Sequence, residues 1–301
     1  MRADTIEPLT PDQLTELQAI QFGILIDIDA FCKQHGISYF MAEGSLLGTV
    51  RHHGPIPWDD DIDICMMRDQ YERFLALAPG SLDPARYQVQ HASTVFPYWS
   101  PIMKVRLITE PKRFGQAHIA RITRHNGPCV DIFPLEYVRR PGGPLLRAQS
   151  LTIRLFRGIL TEKLGVGTFD RWDRTIARWL GRFFTVARLH HLLETITRAQ
   201  GDAERPWVAA LSSYHPLPHQ LAPASDFAAA VTLPYSGLPV PVPAGYDDVL
   251  ARIYGHYMTL PAEAERTPSH HYAAYTGRVI RRQTCSPDPD RRSTGTGAAL
   301  A

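Results

Sequence analysis

An α+β fold is what this chain of 301 residues predicts: a small mixed sheet flanked by helices and interrupted by a helical segment. Three observations lead there. Short apolar or alternating runs at Asp61–Met66, Tyr87–His91, Ile102–Thr109 and Cys129–Pro134 are interleaved with longer runs of helical period. Between Leu145 and Gln200 the strand signal gives way to helical periodicity. A hydrophobic fraction of 44% with 21% charged residues is the balance of a globular protein able to bury a sizeable core. The expected organisation is a core over 1–140, a helical insertion over 141–225, a return to the core over 226–277, and a disordered tail over 278–301. That tail is mostly Arg, Pro, Ser, Thr and Gly, too poor in apolar side chains to pack.

Thr10-Pro11-Asp12-Gln13 is a helix start, with Thr10 as N-cap, Pro11 in the first turn and Gln13 closing a capping box. Leu14, Leu17, Ile24, Ile28 and Phe31 repeat at helical spacing up to Gly36, a glycine suited to the left-handed C-cap. A short apolar run at Ile37–Met41 leads to Gly44-Ser45, where a second helix begins, and then to the strand around Asp61–Met66. Tyr71, Phe74, Leu75 and Ala78 predict a third helix ended by Pro79-Gly80. Cys129-Val-Asp-Ile-Phe-Pro predicts a short strand stopped by Pro134. In the helical stretch, Leu145, Ala148, Ile153, Phe156, Leu160 and Leu164 form an apolar face, and Arg147, Arg154 and Arg157 a basic one. Such a helix either packs on its own domain with its arginines in water or lies on anionic lipid. Phe227–Pro243 reads as a hairpin about Ser236-Gly237, and Tyr246–Gly255 as a helix with its terminal glycine.

The net charge of +2 excludes a global field for nucleic acid, and no nucleic-acid partner is expected. Cys32, Cys65, Cys129 and Cys285 are scattered without a C-x-x-C pair, which fits reduced thiols in a cytoplasmic compartment. Neither a signal-peptide core nor 18 uninterrupted apolar residues occur.

The chemistry concentrates in Ile37–Arg68. In Asp61-Ile62-Asp63-Ile64 the period of two sends both carboxylates to one strand face, about 7 Å apart, and both isoleucines to the other. An acidic run alone is an ordinary solvated turn. Alternation with isoleucine sets this one apart, because aspartate is a poor strand former whose burial needs a compensating cation or partner. The helix start at Gly44-Ser45 offers free N–H groups and partial positive charge, a common phosphate holder. Phosphate holder and carboxylate pair together outline a phosphoryl- or nucleotidyl-transfer site with Mg²⁺ or Mn²⁺. Asp131, a lone acid between apolar residues, is the candidate third metal ligand and proton acceptor, with capping of a loop end as the alternative. Lys104 and Arg106 share a strand face, either to balance phosphate charge or as exposed bases on a wet face. Arg51 is a phosphate ligand or a partner of Asp59 or Asp60. Trp58 stacks on a base or fills the core, the latter preferred. His215-x-x-x-His219 has zinc-like spacing, but the prolines between and the lack of further ligands argue against zinc.

Gly44-Ser-Leu-Leu-Gly-Thr-Val-Arg-His-His-Gly-Pro-Ile-Pro-Trp-Asp-Asp-Asp-Ile-Asp-Ile resembles the signature of the LicD family, a branch of the polymerase-β-like nucleotidyltransferase superfamily that includes the fukutin-related proteins. Val130-Asp131-Ile-Phe-Pro resembles that family's later acidic strand, and Tyr254-Gly-His-Tyr-Met-Thr-Leu-Pro a C-terminal run before His270-His271. The resemblance implies a nucleotidyltransferase-like sheet and a transferase taking phosphocholine, or a related phospho-alcohol, from a CDP ester to a cell-surface or lipid-linked glycan. It implies Asp61, Asp63 and Asp131 as metal ligands and Gly44 and Ser45 as the phosphate cradle. The expected location is the cytoplasm, with the basic helix as the one feature that would bring the protein to the inner face of the membrane. The rivals are NMP transfer from an NTP with release of pyrophosphate, and a silent glycan- or nucleotide-binding protein.

Overall fold

The computed structural model describes residues 9–108, 114–120, 122–123, 125–166, 171–200, 204–213, 215–268 and 272–274. The tail from residue 278 and the His270-His271 pair lie outside the described residues. Helix α1 (Pro11–His35) opens with Thr10 Oγ1 accepting the Gln13 N–H while the Gln13 side chain accepts that of Thr10. It closes on Gly36 at φ 62°. Its apolar stripe, Leu14, Leu17, Ile24, Ile28 and Phe31, is buried. Then follow β1 (Phe40–Met41), α2 (Glu43–His52), β2 (Asp63–Met67), α3 (Arg68–Ser81), β3 (Tyr87–Gln90), β4 (Met103–Leu107), β5 (Phe114–Gln116) and β6 (Cys129–Val138).

Helices α4 (Pro144–Lys163), α5 (Arg171–Gly181) and α6 (Val186–Thr197) come next, followed by β7 (Trp207–Ala209), the single turn α7 (Leu217–Gln220) and β8 (Leu221–Pro223). The hairpin β9 (Ala230–Tyr235) and β10 (Leu238–Pro243), helix α8 (Tyr246–Tyr254) and β11 (Tyr272–Ala274) complete the described chain. At the hairpin tip Ser236 and Gly237 both have positive φ, 51° and 88°, the twist that joins antiparallel strands in two residues.

The main sheet is mixed, in the order β1-β2-β6-β4-β3, with β7 and β8 continuing from the far half of β6. Only β2 and β6 run parallel; the other pairings are antiparallel. The eight α-helices among the described residues flank this sheet, so the architecture is α+β. One large apolar cluster joins α1, α2, α3, the central strands, the β9–β10 hairpin and α8. A second joins α4, α5 and α6 with Val138, Ala209 and Leu221. Segment 141–225 therefore supplies strands as well as helices, and its Val208 and Ala222 belong to the main cluster.

Two proline-based expectations are corrected. Strand β6 runs through Pro134 to Val138. The Asp131 N–H points to Ile62 C=O on the β2 side, so by alternation position 134 would point its N–H the other way. There β4 pairs only as far as residue 132, and β7 begins at 136, so the donor that proline lacks is not needed. Helix α3 likewise passes Pro79 and ends at Ser81, with the Leu82 N–H still bonded to Ala78 C=O.

The apolar face expected on α4 is split. Ile153 and Leu160 are buried and Phe156 half-buried, while Leu145 and Ala148 are exposed, and Arg157 from the supposed wet face is buried.

Candidate active site

The acidic loop that feeds β2 is pinned from α1. The Gln18 amide donates to the carbonyls of Ile56 and Asp59, and Gln21 to that of Asp60. Strand β2 consequently begins at Asp63 rather than Asp61, which sits in the approach to the strand. Ile62 and Ile64 go into the core, as the alternation requires. Asp63 lies in register with Asp131 across the parallel pair, and Asp131 with Lys104 across the antiparallel one, so all three side chains share a sheet face. Asp59, Asp61, Asp63, Lys104 and Asp131 line one cavity of ≈ 1290 Å³.

Gly44 lines the same cavity from the first turn of α2. A Cβ there would meet Asp59 Oδ2 at 2.7 Å, so a side chain at 44 would push the Asp59 carboxylate out of its present place. Ser45 has a different task from the one expected: buried, it accepts the Asp63 N–H on Oγ at 2.8 Å, and it positions the strand instead of facing the cavity. Arg51 does reach the cavity, and its guanidinium donates to the Tyr257 carbonyl at 2.7 Å and to His52. Trp58 packs on the main core, lines the cavity and carries the Arg266 guanidinium 5.4 Å from its ring centre.

Lys104 and Arg106 do share a face, but it is the interior. Lys104 Nζ pairs with Asp131 Oδ2. Burial pulls the lysine's pKa down, Asp131 and then Cys129 pull it up, and the net shift is upward. Arg106, fully buried, gives its N–H groups to Gln90, to the Gly127 carbonyl and to Gln116, and it stands off the cavity surface. Its expected role as a substrate ligand is therefore replaced by one of bracing β4 against its neighbours.

Burial pushes the Asp63 carboxyl well above its ordinary range, with Asp61, Asp131, Glu43 and Asp59 adding repulsion in that order. Asp59, Asp60 and Asp61 bring ligand oxygens within 4.8 Å of one another, the one group so tightly drawn together among the described residues. This crowd of carboxylates fits a hard divalent cation: oxygen ligands only, and repulsion that a positive charge would relieve. Asp131 fits less simply, because Lys104 already holds one of its oxygens and the Cys129 thiol lies 3.4 Å from the other.

Sequence reasoning missed part of the cavity wall. Glu43, with φ 46° at the head of α2, meets His215 Nε2 at 3.1 Å. That contact raises the histidine's pKa through the Glu43 hydrogen bond, against the effect of burial. His219 instead contacts the Ile253 carbonyl through Nδ1. Arg154, Arg157, Gly158 and Thr161 of α4 close the far side. The signal for Glu43 was its position beside Gly44; nothing in the sequence joins it to residue 215.

Residues 36–141 match the model of the family described as LicD/FKTN/FKRP, nucleotidyltransferase domain. They form a LicD-family domain. Beyond it, the chain is similar to the lipopolysaccharide cholinephosphotransferase LicD of Haemophilus influenzae, 26% identical over 278 residues, 87% of this chain and 97% of that protein. An uncharacterized protein of Rickettsia typhi is 31% identical over 80 residues, 26% of each chain. The LicD domain marks the protein as a transferase enzyme, and it contains Glu43, Gly44, all four cavity aspartates and Lys104. Arg154, Arg157 and His215 reach the same cavity from outside the LicD domain.

Proposed function

We propose that the protein transfers a phospho-alcohol group, phosphocholine or a close relative, from a CDP ester to a hydroxyl of a cell-surface glycan, releasing CMP. The observation that carries this reading is the meeting of Asp61, Asp63 and Asp131 in one cavity, beside the glycine that opens α2, within a LicD-family domain. The similar Haemophilus protein is named for cholinephosphate transfer on lipopolysaccharide, which supports the same donor group and acceptor class here.

Asp61, Asp63 and Asp131 would hold Mg²⁺ or Mn²⁺, with Asp59 near enough to share in it. When bound, such a cation screens phosphate charge and stabilises the leaving oxygen. The first N–H groups of α2 would face phosphate oxygens, and Arg51, from the last turn of the same helix, adds positive charge to the cavity. In the transfer, the acceptor oxygen forms a bond to the distal phosphorus, and the bond from that phosphorus to the bridging oxygen breaks. CMP departs with the bridging oxygen, and the hydroxyl proton passes to Asp131. Lys104 balances the charge on Asp131 and fixes its orientation.

Incubation with a panel of CDP esters and Mg²⁺, following CMP release, tests the proposal. Turnover of a CDP ester that stops on chelation is expected. Pyrophosphate released from an NTP would move the reading to nucleotidyl transfer, and silence on every donor would reduce it to binding.

A further inference from the structure

Outside the cavity, the least explained surface is the outward side of α4 and α5. Leu151, Leu155, Ile176, Trp179 and Phe183 are 48–67% exposed there. They sit on two elements that pack against each other. Leu151 and Leu155 are one turn apart on α4, and Trp179 and Phe183 touch edge to face at 5.3 Å. Phe156 and Phe184 meet edge to face at 5.6 Å, which holds α4 against the turn that follows α5.

The charge around this patch is one-sided. Residues 141–200 hold ten Lys and Arg against four Asp and Glu, leaving 22 basic and 26 acidic residues in the rest of the chain. Arg147, Arg154 and Arg178 are exposed on these helices, and Arg182 in the turn that follows α5. Glu162 of α4 is covered, its side chain 6% exposed beneath ion pairs from Arg174 and Arg178. Bulky apolar side chains rimmed by arginines are the composition of a surface that enters the headgroup layer of an anionic bilayer. No helix among the described residues is long and apolar enough to cross one.

We propose that this face of α4 and α5 docks on an anionic lipid surface. The face adjoins the cavity: on α4, Arg154, Arg157 and Thr161 line the cavity, while Leu151 and Leu155 point outward. Docking therefore sets the helical wall of the cavity at the membrane, where a lipid-linked acceptor presents its glycan. The inference rests on the transferase reading only for that purpose; the surface itself stands apart from the carboxylates.

Flotation with vesicles of phosphatidylcholine alone and of phosphatidylcholine with phosphatidylglycerol decides the matter. The full chain should float with the anionic vesicles, not the neutral ones, and release as salt rises. Arg182→Ala should weaken partition about fivefold, and Trp179→Ser with Phe183→Ser at least about tenfold. These side chains are exposed, so unchanged thermal melting should accompany both effects. Equal flotation with both vesicle types, or with neither, overturns the proposal. So does a dimer in sedimentation velocity that the double substitution dissolves, because a second copy then covers the face. CMP release by the double variant should equal that of wild type. A protein that floats but turns over no CDP ester keeps this proposal and loses the transferase reading.

Discussion

In the strand-built region, Asp63, Lys104, Arg106 and Asp131 are at most 7% exposed, and each has a hydrogen bond or ion pair that fixes it. In the helical segment, Arg154 reaches the same cavity from an exposed position, and large apolar side chains face outward beside it. The first region spends folding energy to hold like charges together. The second buries one cavity arginine, Arg157, on the Ser212 and Ser213 carbonyls, and otherwise presents a surface. Chemistry that depends on angstrom-level placement belongs to the first kind of construction, and recognition of a large or variable partner to the second.

The sharpest way to break this contrast is Asp63→Asn. It should abolish metal-dependent CMP release while leaving the melting temperature in chelator no lower than wild type, because it removes a buried carboxylate repelled by Asp61, Asp131, Glu43 and Asp59. Retained activity would remove the carboxylates from the mechanism. Next comes the seam between the regions, where Arg68 of α3 pairs with buried Glu136 of β6 and, at 3.3 Å, with Glu194 of α6. Arg68→Ala leaves Glu136 buried without its ion pair and should cost about 3–5 kcal/mol in denaturant unfolding. A loss under about 1 kcal/mol would show the seam to be soft.

Gly44→Ala pushes the Asp59 carboxylate aside and should cost under about 1 kcal/mol in stability while lowering turnover. The smallest effect is a pH dependence. Burial, then Arg68 and His190, lower the His91 pKa from 6.5 to about 4. Between those values the unfolded chain binds a proton that the fold refuses, so melting temperature should fall as pH drops through that window. His91→Asn should flatten that slope.

Much of the strand-built region was readable in advance. The alternation Asp61-Ile-Asp-Ile and the lone acid in Val130-Asp131-Ile132 identify half-buried strands whose acids need compensation, and the structure puts 63 and 131 in register. The capping box at Thr10 and the Ser236-Gly237 turn were readable because local geometry dictates them. What failed depended on partners distant in sequence. Pro134 ends an isolated strand, yet here a gap between two neighbours accommodates it. The alternation put Lys104 and Arg106 on one face, but not their partners: Asp131 takes Lys104 at the cavity, and Gln90 and the Gly127 carbonyl hold Arg106 away from it. The Glu43–His215 contact joins parts of the chain that no periodicity relates. On α4 the period was right and the orientation wrong in part, because three packed helices leave more than one side open.

One strand, β6, carries Asp131 on its first half and pairs with β7 through Glu136, Tyr137 and Val138 on its second. Anyone exchanging segment 141–225 between relatives should therefore move it whole, because β7 and β8 lie inside it. A helical cassette of α4 to α6 transplanted without those strands would leave the end of β6 frayed, a few residues from Asp131.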